Sequence, residues 1–157
     1  MIDICGASNE FARHFLDANH PLRTGGCLRG AILCLAGYEN GWPSFLAVFV
    51  YPRARWKHYP VKLELSRLAW SPMAMGSAVT FLRKCIRILR RTYRGLLVTY
   101  ALPGTEGILY ERAGFKHVGH SGGCSWSKRG AGERPTPETI GTGRYLKRYF
   151  CELGEQI

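Results

Sequence analysis

The sequence predicts a single α/β (α+β) domain in which helices flank a mixed, mostly antiparallel sheet that contains one parallel pair of strands. Three observations predict this fold. Glu39-Asn40-Gly41 lies between two apolar runs, as a hairpin turn does. Residues 76–93 separate into an apolar and a basic half at 100° per residue, which is typical of a helix packed on a sheet. The continuous apolar run 96–100 follows this helix, and such a strand pairs in parallel through the preceding helix.

The other elements follow from local signals. Ser8 precedes an amphipathic run and is the expected N-cap of a first helix, which His20 and Pro21 end. Gly95 is expected to cap the long helix. The whole chain, 1–157, is expected to be one domain with its core at about 8–120 and a basic, Gly/Pro-rich tail at 121–157. The expected helices are 8–18, 76–93 and 105–114, and the expected strands are 28–38, 45–51, 61–70, 96–100 and 115–119.

The chain is strongly basic. It carries 22 Lys and Arg against 11 Asp and Glu, which gives a formal net charge of +11. Solubility needs no such excess, so a polyanionic partner is expected, with nucleic acid favoured over a membrane surface. A generally basic surface without a dedicated partner is the alternative.

The six cysteines are scattered without a C-x-x-C pair. Cys27, Cys34 and Cys85 lie in or beside apolar stretches and are expected to be reduced core residues rather than parts of a disulfide framework or a zinc site, so no metal is expected. No basic segment followed by an apolar run opens the sequence, and no uninterrupted apolar stretch is long enough to span a membrane. A cytoplasmic protein is expected.

The segment Met73-Ala74-Met75-Gly76-Ser77-Ala78 lies between a predicted strand and the long helix. Together with the element order over residues 60–120, it resembles the core of GNAT N-acyltransferases, whose loop [Gln/Arg]-x-x-Gly-x-[Gly/Ala] holds the diphosphate of CoA. Unpaired amides at a helix start suit a phosphate, and small residues let it approach. The resemblance implies that acetyl-CoA or another acyl-CoA is the cofactor. The sequence departs from the family pattern at Met73, where the family has Gln or Arg. The resemblance implies that the cofactor is bound by Met75, Gly76, Ser77 and Ala78.

Three further residues are candidates for catalysis. Leu109-Tyr110 followed by Gly114-Phe115 is similar to the GNAT segment L-Y-x-x-x-G-F, which implies that Tyr110 protonates the leaving thiolate. A core tyrosine is the alternative. Glu64, on the strand before the loop, is the candidate general base, or else a salt-bridge partner of Arg67 or Arg53. His20 is a weaker candidate base, or simply the end of the first helix.

The acceptor is assigned separately, because the GNAT fold does not define it. Residues 63–68, 97–103 and the segment around Trp126 look similar to the phage Mom group, which implies modification of the exocyclic amine of adenine in DNA. Aminoacyl-tRNA, as for small GNAT toxins, is the second candidate acceptor. A non-catalytic DNA-binding module and a protein or small-amine acetyltransferase remain alternatives.

The charge distribution favours nucleic acid, since residues 65–105 contain seven cations before the first acid. The basic aromatic loop around Trp56 is expected to hold backbone phosphates and to stack an extruded base. Its alternative is a solvated loop that covers the edge of the core. Residues 144–148 extend the basic surface or contact a second subunit, so a homodimer is possible. The expected nucleic-acid contacts are Arg53, Arg55, Trp56, Lys57, Arg83, Arg87 and Arg90.

Overall fold

The computed structural model describes residues 1–20, 28, 30–52, 59–101, 107–120 and 147–154. The described residues form a seven-stranded sheet with the strand order β1-β2-β3-β4-β5-β7-β6. β4 and β5 pair in parallel, whereas the other neighbouring strands pair antiparallel, which confirms the predicted fold class. The elements are β1 (Asp3–Gly6), α1 (Asn9–Asn19), β2 (Ala31–Glu39), β3 (Trp42–Val50), β4 (Val61–Trp70), α2 (Ala78–Leu89), β5 (Gly95–Ala101), α3 (Ile108–Arg112), β6 (Lys116–His120) and β7 (Lys147–Gly154).

Helices cover the two faces of the sheet unequally. The face under α2, here called the α2 face, carries the larger core cluster, in which Phe81 and Leu82 pack with Leu63, Leu65 and other buried residues of the central strands. The opposite face, here called the α1 face, carries a smaller cluster between α1 and strands β2 to β4. Side chains alternate between these faces along each strand.

The predicted hairpin and the first helix cap are confirmed. Asn40 and Gly41 take φ angles of 51° and 82°, the left-handed pair that a two-residue turn between β2 and β3 requires. The side chain of Ser8 accepts a hydrogen bond of 3.1 Å from the amide of Phe11 at the start of α1.

The long helix is shorter than predicted, and the predicted cap was wrong. α2 ends at Leu89 with Arg90 as its C-cap, so Gly95 does not cap it. Gly95 instead begins β5 at a φ of 102°, where a Cβ atom would collide with the carbonyl oxygen of Pro60. Its lack of a side chain therefore serves the approach of β5 to the start of β4.

Two strands that the sequence analysis did not assign complete the sheet. β1 pairs with β2 at one edge, and β7 lies between β5 and β6. Tyr149, Cys151 and Leu153 of β7 are buried in the core of the α2 face. The sequence analysis placed this segment in the basic tail, whereas the alternation of these buried residues makes it an interior strand.

Cys34 and Cys85 are buried, as predicted, and Cys27 lies outside the described residues. Each of the four cysteines that the structure describes is a free thiol. In the described part of the chain, no helix combines the length and apolar character that a membrane crossing requires.

Candidate functional site

The parallel ladder between β4 and β5 stops before either strand ends. Its last pair is Leu65 with Thr99. Beyond this pair β4 continues to Trp70 beside β3, and β5 continues to Ala101 beside β7. Among the described residues, nothing pairs with the facing edges of the two strands beyond this point, and an unpaired strand edge offers backbone donors and acceptors to a ligand. This opening is called the β4–β5 split.

A bulge lies in β4 at the same level. Val48 of β3 faces Arg67 and Phe49 faces Leu65, so that Ser66 has no partner on β3. A bulge bends its strand and redirects side chains, and bulges are common beside active sites. The guanidinium of Arg67 donates to the Ser66 carbonyl oxygen at 2.8 Å.

Tyr110 lies at the split on the α2 face. The side chain of Thr99 lies close enough to its hydroxyl to lower the pKa of the phenol, and the Thr99 hydroxyl donates to the Leu65 carbonyl oxygen at 3.1 Å. The phenol therefore lies beside Thr99, which belongs to the last pair of the parallel ladder. Its ring packs against Phe115 and Tyr149 with centroid distances of 5.7 Å to each.

The environment of Tyr110 favours its neutral form. Burial raises the pKa of this phenol, and the polar side chain of Thr99 opposes the rise. Tyr110 therefore keeps its proton at neutral pH, as a proton donor must. The side chain is partly buried and packs against the core of the α2 face, and its catalytic role stays a prediction.

Tyr149 of β7 supports Tyr110 from the side. It is 1% exposed, and a Cβ atom at Gly107, just before α3, would collide with its hydroxyl group. Gly107 has a φ of 64°, so the chain entering α3 depends on this glycine for both its conformation and its close approach. The residue that positions the phenol from β7 was not found from the sequence.

The predicted phosphate loop joins β4 to α2, so it lies at the edge of the sheet where β4 ends. Ser77 is the N-cap of α2, and its side chain accepts from the amide of Val79 at 3.2 Å. The amides of Gly76, Ser77 and Ala78 form no hydrogen bond within the described ranges. Donors of this kind at a helix start fit a diphosphate. Met73 and Met75 flank them and are 84% and 87% exposed.

A carboxylate from β2 reaches this loop. The amide of Met75 donates to Oε2 of Glu39 at 3.0 Å. A Cβ atom at Gly76 would collide with Oε1 of the same carboxylate and would lie 3.1 Å from Cδ1 of Ile2. The sequence analysis explained Gly76 by the approach of a phosphate, but the group that lies against it in this structure is the protein's own Glu39.

Glu64 lies on the opposite side of the sheet from Tyr110. Leu63 and Leu65 belong to the core of the α2 face, so Glu64 between them points to the α1 face. On β5, Leu97 and Ala101 belong to the core of the α2 face. Tyr100, next to Ala101, therefore points to the α1 face, as Glu64 does. Arg148 is the cross-strand partner of Tyr100.

Tyr100 interacts electrostatically with both charged neighbours. Burial raises its pKa, the charge of Glu64 raises it further, and Arg148 lowers it. A carboxylate, a phenol and a guanidinium therefore meet on the α1 face beside the split. Tyr100 was not predicted as a site residue, and only its position on the strand parallel to that of Glu64 places it there.

The basic half of α2 is only partly a free surface. Arg83, Arg87 and Arg90 are exposed as predicted. However, the guanidinium of Arg83 donates to the Arg112 carbonyl oxygen through Nε at 3.0 Å, and that of Arg90 donates to the Glu152 carbonyl oxygen through Nη2 at 3.0 Å. These contacts tie α2 to α3 and to β7. The side chain of Arg87 forms no hydrogen bond with any described residue.

The remaining predicted site residues lie apart or beyond description. His20 is the C-cap of α1, and its amide donates to the Leu16 carbonyl oxygen at 2.8 Å, as a residue that ends a helix does. The predicted nucleic-acid contacts Arg53, Arg55, Trp56 and Lys57 lie outside the described residues. The same holds for the tail segment around Trp126.

Comparison with solved structures identifies the fold. An acetyltransferase from Bacillus subtilis in complex with CoA matches with a TM-score of 0.63 and 12% identity, over 96% of this chain and 97% of the other. The ribosomal-protein-S18-alanine N-acetyltransferase from Escherichia coli matches with a TM-score of 0.66 and 15% identity, over 100% and 97% of the two chains. A GNAT family acetyltransferase from Elizabethkingia anophelis with acetyl-CoA bound gives 0.66 and 16%, over 96% and 97%.

No protein-family model matches the sequence, and no curated protein matches it. At these identities, the likeness to solved structures concerns the path of the backbone. The chain therefore has the fold of the GNAT acetyltransferases over nearly its whole length.

Proposed function

We propose that this protein is an acyl-CoA-dependent N-acyltransferase. The observation that carries the proposal is the β4–β5 split with Tyr110 on one face and Glu64 on the other. A proton donor and a proton acceptor on opposite sides of one opening are what transfer of an acyl group from a thiol to an amine requires.

The residues fit the cofactor that the fold implies. The amides of Gly76, Ser77 and Ala78 are donors without a protein acceptor in the described chain, and a diphosphate is an acceptor. The unpaired strand edges of the split would hold the amide-bearing arm that joins the diphosphate to the sulfur. Acyl-CoA, when bound, supplies a thioester carbonyl that an amine can attack.

The chain's own groups then have distinct roles. The Glu64 carboxylate accepts a proton from the acceptor amine, directly or through a water molecule. The Tyr110 hydroxyl donates a proton to the departing sulfur, and its raised pKa keeps that proton available at neutral pH. Tyr100 and Arg148 border the acceptor side, where they exclude water and orient the amine.

Calorimetric titration with acetyl-CoA tests the cofactor. Wild-type protein should bind it, and Gly76→Asp should abolish binding, because the new carboxylate adds steric bulk and negative charge against Glu39 and the loop amides. Gly6→Asp is the matched control: a Cβ atom at Gly6 meets nothing within 4 Å, so this variant should bind normally. Absence of binding to wild-type protein would contradict the proposal.

For the acceptor we propose an amine on nucleic acid, with the exocyclic amine of DNA adenine first, as in Mom-like modification, and aminoacyl-tRNA second. The support is electrostatic: the net charge of +11 and the exposed cations along α2 favour a polyanion. These cations lie on the α2 side, whereas Glu64 points to the α1 face, so they would anchor the backbone beside the reacting base rather than contact the base itself.

Mass spectrometry of nucleosides and aminoacyl-tRNA from expressing cells tests this acceptor. Cells that express wild-type protein should contain a new adenine adduct in DNA that is absent from cells expressing Tyr110→Phe. An adduct on the amino acid of charged tRNA with unmodified DNA would select the second acceptor. An adduct on neither, with purified protein that acetylates peptides or small amines, would exclude a nucleic-acid acceptor.

A further inference from the structure

We propose that Glu39 is a built-in anion of the phosphate loop, with two opposing effects on cofactor binding. Its hydrogen bond to Met75 shapes the loop, and its negative charge weakens the binding of the diphosphate. This inference rests on the proposed function, since it concerns the loop that would hold the diphosphate of acyl-CoA.

The contacts of Glu39 are specific to this loop. Oε2 accepts the amide hydrogen of Met75 at 3.0 Å, and Oε1 lies so close to Gly76 that a Cβ atom there would have to displace it. Glu39 makes no ion pair with any cation in the described part of the chain. Within the described residues, the negative charge of this partly buried carboxylate therefore meets a backbone donor, the Met75 amide, as the charge of a bound phosphate would.

The topology of the sheet places Glu39 at this position. β2 and β4 both run antiparallel to β3, so their carboxyl ends lie at the same edge. Glu39 is the last residue of β2, paired with Trp42 and followed directly by the tight turn at Asn40 and Gly41. The turn fixes the backbone of Glu39, and the loop after β4 passes within reach of its side chain.

The first turn of α2 lacks the acid that helices commonly have there. No acidic residue lies in that turn, whereas α1 has Glu10 in the same place. A negative charge near a helix N-terminus is stabilising. Glu39 supplies this charge from 36 residues earlier in the chain.

A diphosphate bound to the same loop meets this charge. Two anions held by neighbouring amides of one loop repel each other, and the repulsion is strongest where the site is partly shielded from water. Removing the charge while keeping the acceptor oxygen should therefore tighten diphosphate binding. Removing the whole side chain should free the loop instead.

The test compares CoA affinities of wild-type protein, Glu39→Gln and Glu10→Gln. Glu39→Gln keeps an oxygen for the Met75 amide and should bind CoA about three- to tenfold more tightly at low salt, a gain that shrinks at high salt because charges are screened. Glu10→Gln makes the same change in net charge on α1 and should bind as wild type does. Acetyl-pantetheine, which lacks the diphosphate, should bind all three proteins equally.

Hydrogen exchange supplies a readout that needs no ligand. The Met75 amide should exchange slowly in wild-type protein and in Glu39→Gln, and faster in Glu39→Ala, which has no acceptor. Equal exchange in wild-type protein and Glu39→Ala would show that the hydrogen bond does not hold the loop.

Equal or weaker CoA binding by Glu39→Gln would overturn the inference. If neither wild-type protein nor Glu39→Gln binds CoA, the proposed function fails, and the inference is then decided with inorganic pyrophosphate. Tighter pyrophosphate binding by Glu39→Gln would support it, and equal binding would end it.

Discussion

The two faces of the sheet beside the β4–β5 split differ in chemistry. On the α2 face, Tyr110 lies among Phe115, Tyr149 and other core residues, and burial is the largest influence on its pKa. On the α1 face, the charge of Glu64 raises the pKa of Tyr100 and that of Arg148 lowers it. The opening therefore has two chemically different sides. The apolar side keeps the proton on a phenol, and the polar side is suited to accept a proton from an amine.

The largest effect should come from Tyr110→Phe, which removes the proton donor but keeps the ring. We expect kcat to fall by about two to three orders of magnitude, in the range of acid catalysis, with unchanged CoA affinity. Steady-state kinetics and calorimetry on the same preparation check this. A wild-type kcat in Tyr110→Phe would show that no proton donor acts from the apolar side.

Glu64→Gln tests the polar side. We expect kcat to fall by about ten- to a hundredfold, because an amide does not accept the amine's proton, while CoA affinity is unchanged. Glu152→Gln removes the same charge from the exposed end of β7 that lies beside Leu96, far from the split, and is the matched control. Equal losses in the two variants would indicate a general effect of charge rather than a base at Glu64.

Thr99→Val tests the residue of β5 in the last pair of the parallel ladder, beside Tyr110. The variant keeps the shape of this 1% exposed side chain but loses the hydrogen bond to the Leu65 carbonyl oxygen and the polar neighbour of Tyr110. We expect a loss of about 1–2 kcal/mol in the free energy of unfolding, measured by urea denaturation. Ser44→Ala is the comparison for a buried hydroxyl away from the split, since its bond to the Trp42 carbonyl oxygen is long at 3.4 Å, and it should cost less.

The phenols predict how stability depends on pH. Burial raises the pKa of Tyr110 above its ordinary value of 10, so the folded protein holds a proton that the unfolded chain releases above pH 10. The contribution of this group to stability is therefore fully present below pH 10 and is lost as pH rises towards the folded pKa.

The free energy of unfolding should accordingly fall less steeply above pH 10 in Tyr110→Phe than in wild-type protein. Urea unfolding between pH 8 and pH 11 measures the two slopes. Tyr51→Phe, at a tyrosine that is 67% exposed, should keep the wild-type slope.

The smallest effect concerns the cations of α2. Arg87→Gln should weaken DNA binding by roughly threefold and reduce the salt dependence of the binding constant by about one ion, since its side chain is available to a phosphate. Arg83→Gln should in addition lower stability, because Arg83 holds α3 through the Arg112 carbonyl oxygen. Salt titrations and thermal unfolding separate the two. Unchanged DNA affinity in both variants would place the nucleic-acid contact elsewhere.

Much of the fold was predictable because its signals are local. The Asn40-Gly41 turn, the Ser8 cap and the amphipathic pattern of α2 each lie within a few neighbouring residues. The parallel pair β4–β5 followed from a buried strand after a helix. β1 and β7 were missed because each is identified by its pairing with a strand far along the chain.

The placement of some candidate residues was predictable as well, whereas their roles stay predictions. Tyr110 and the loop at Gly76 stand in recognisable segments, and the structure brings both to the carboxyl edge of the central strands. The partners Thr99 and Glu39 could not be found from spacing, since their contacts link residues that are tens of positions apart. The length of α2 was overestimated because its apolar periodicity continues past Leu89, where the helical hydrogen bonds end.

The insertion of β7 between β5 and β6 constrains how the protein folds during its synthesis. β5 and β6 leave the ribosome earlier, but neither can pair with β7 until residues 147–154 have emerged. During that interval the edge of β5, with the aliphatic side chains of Leu96, Leu97 and Val98, has no strand to cover it. Nascent chains at this stage are therefore natural clients for chaperones that shield exposed strand edges.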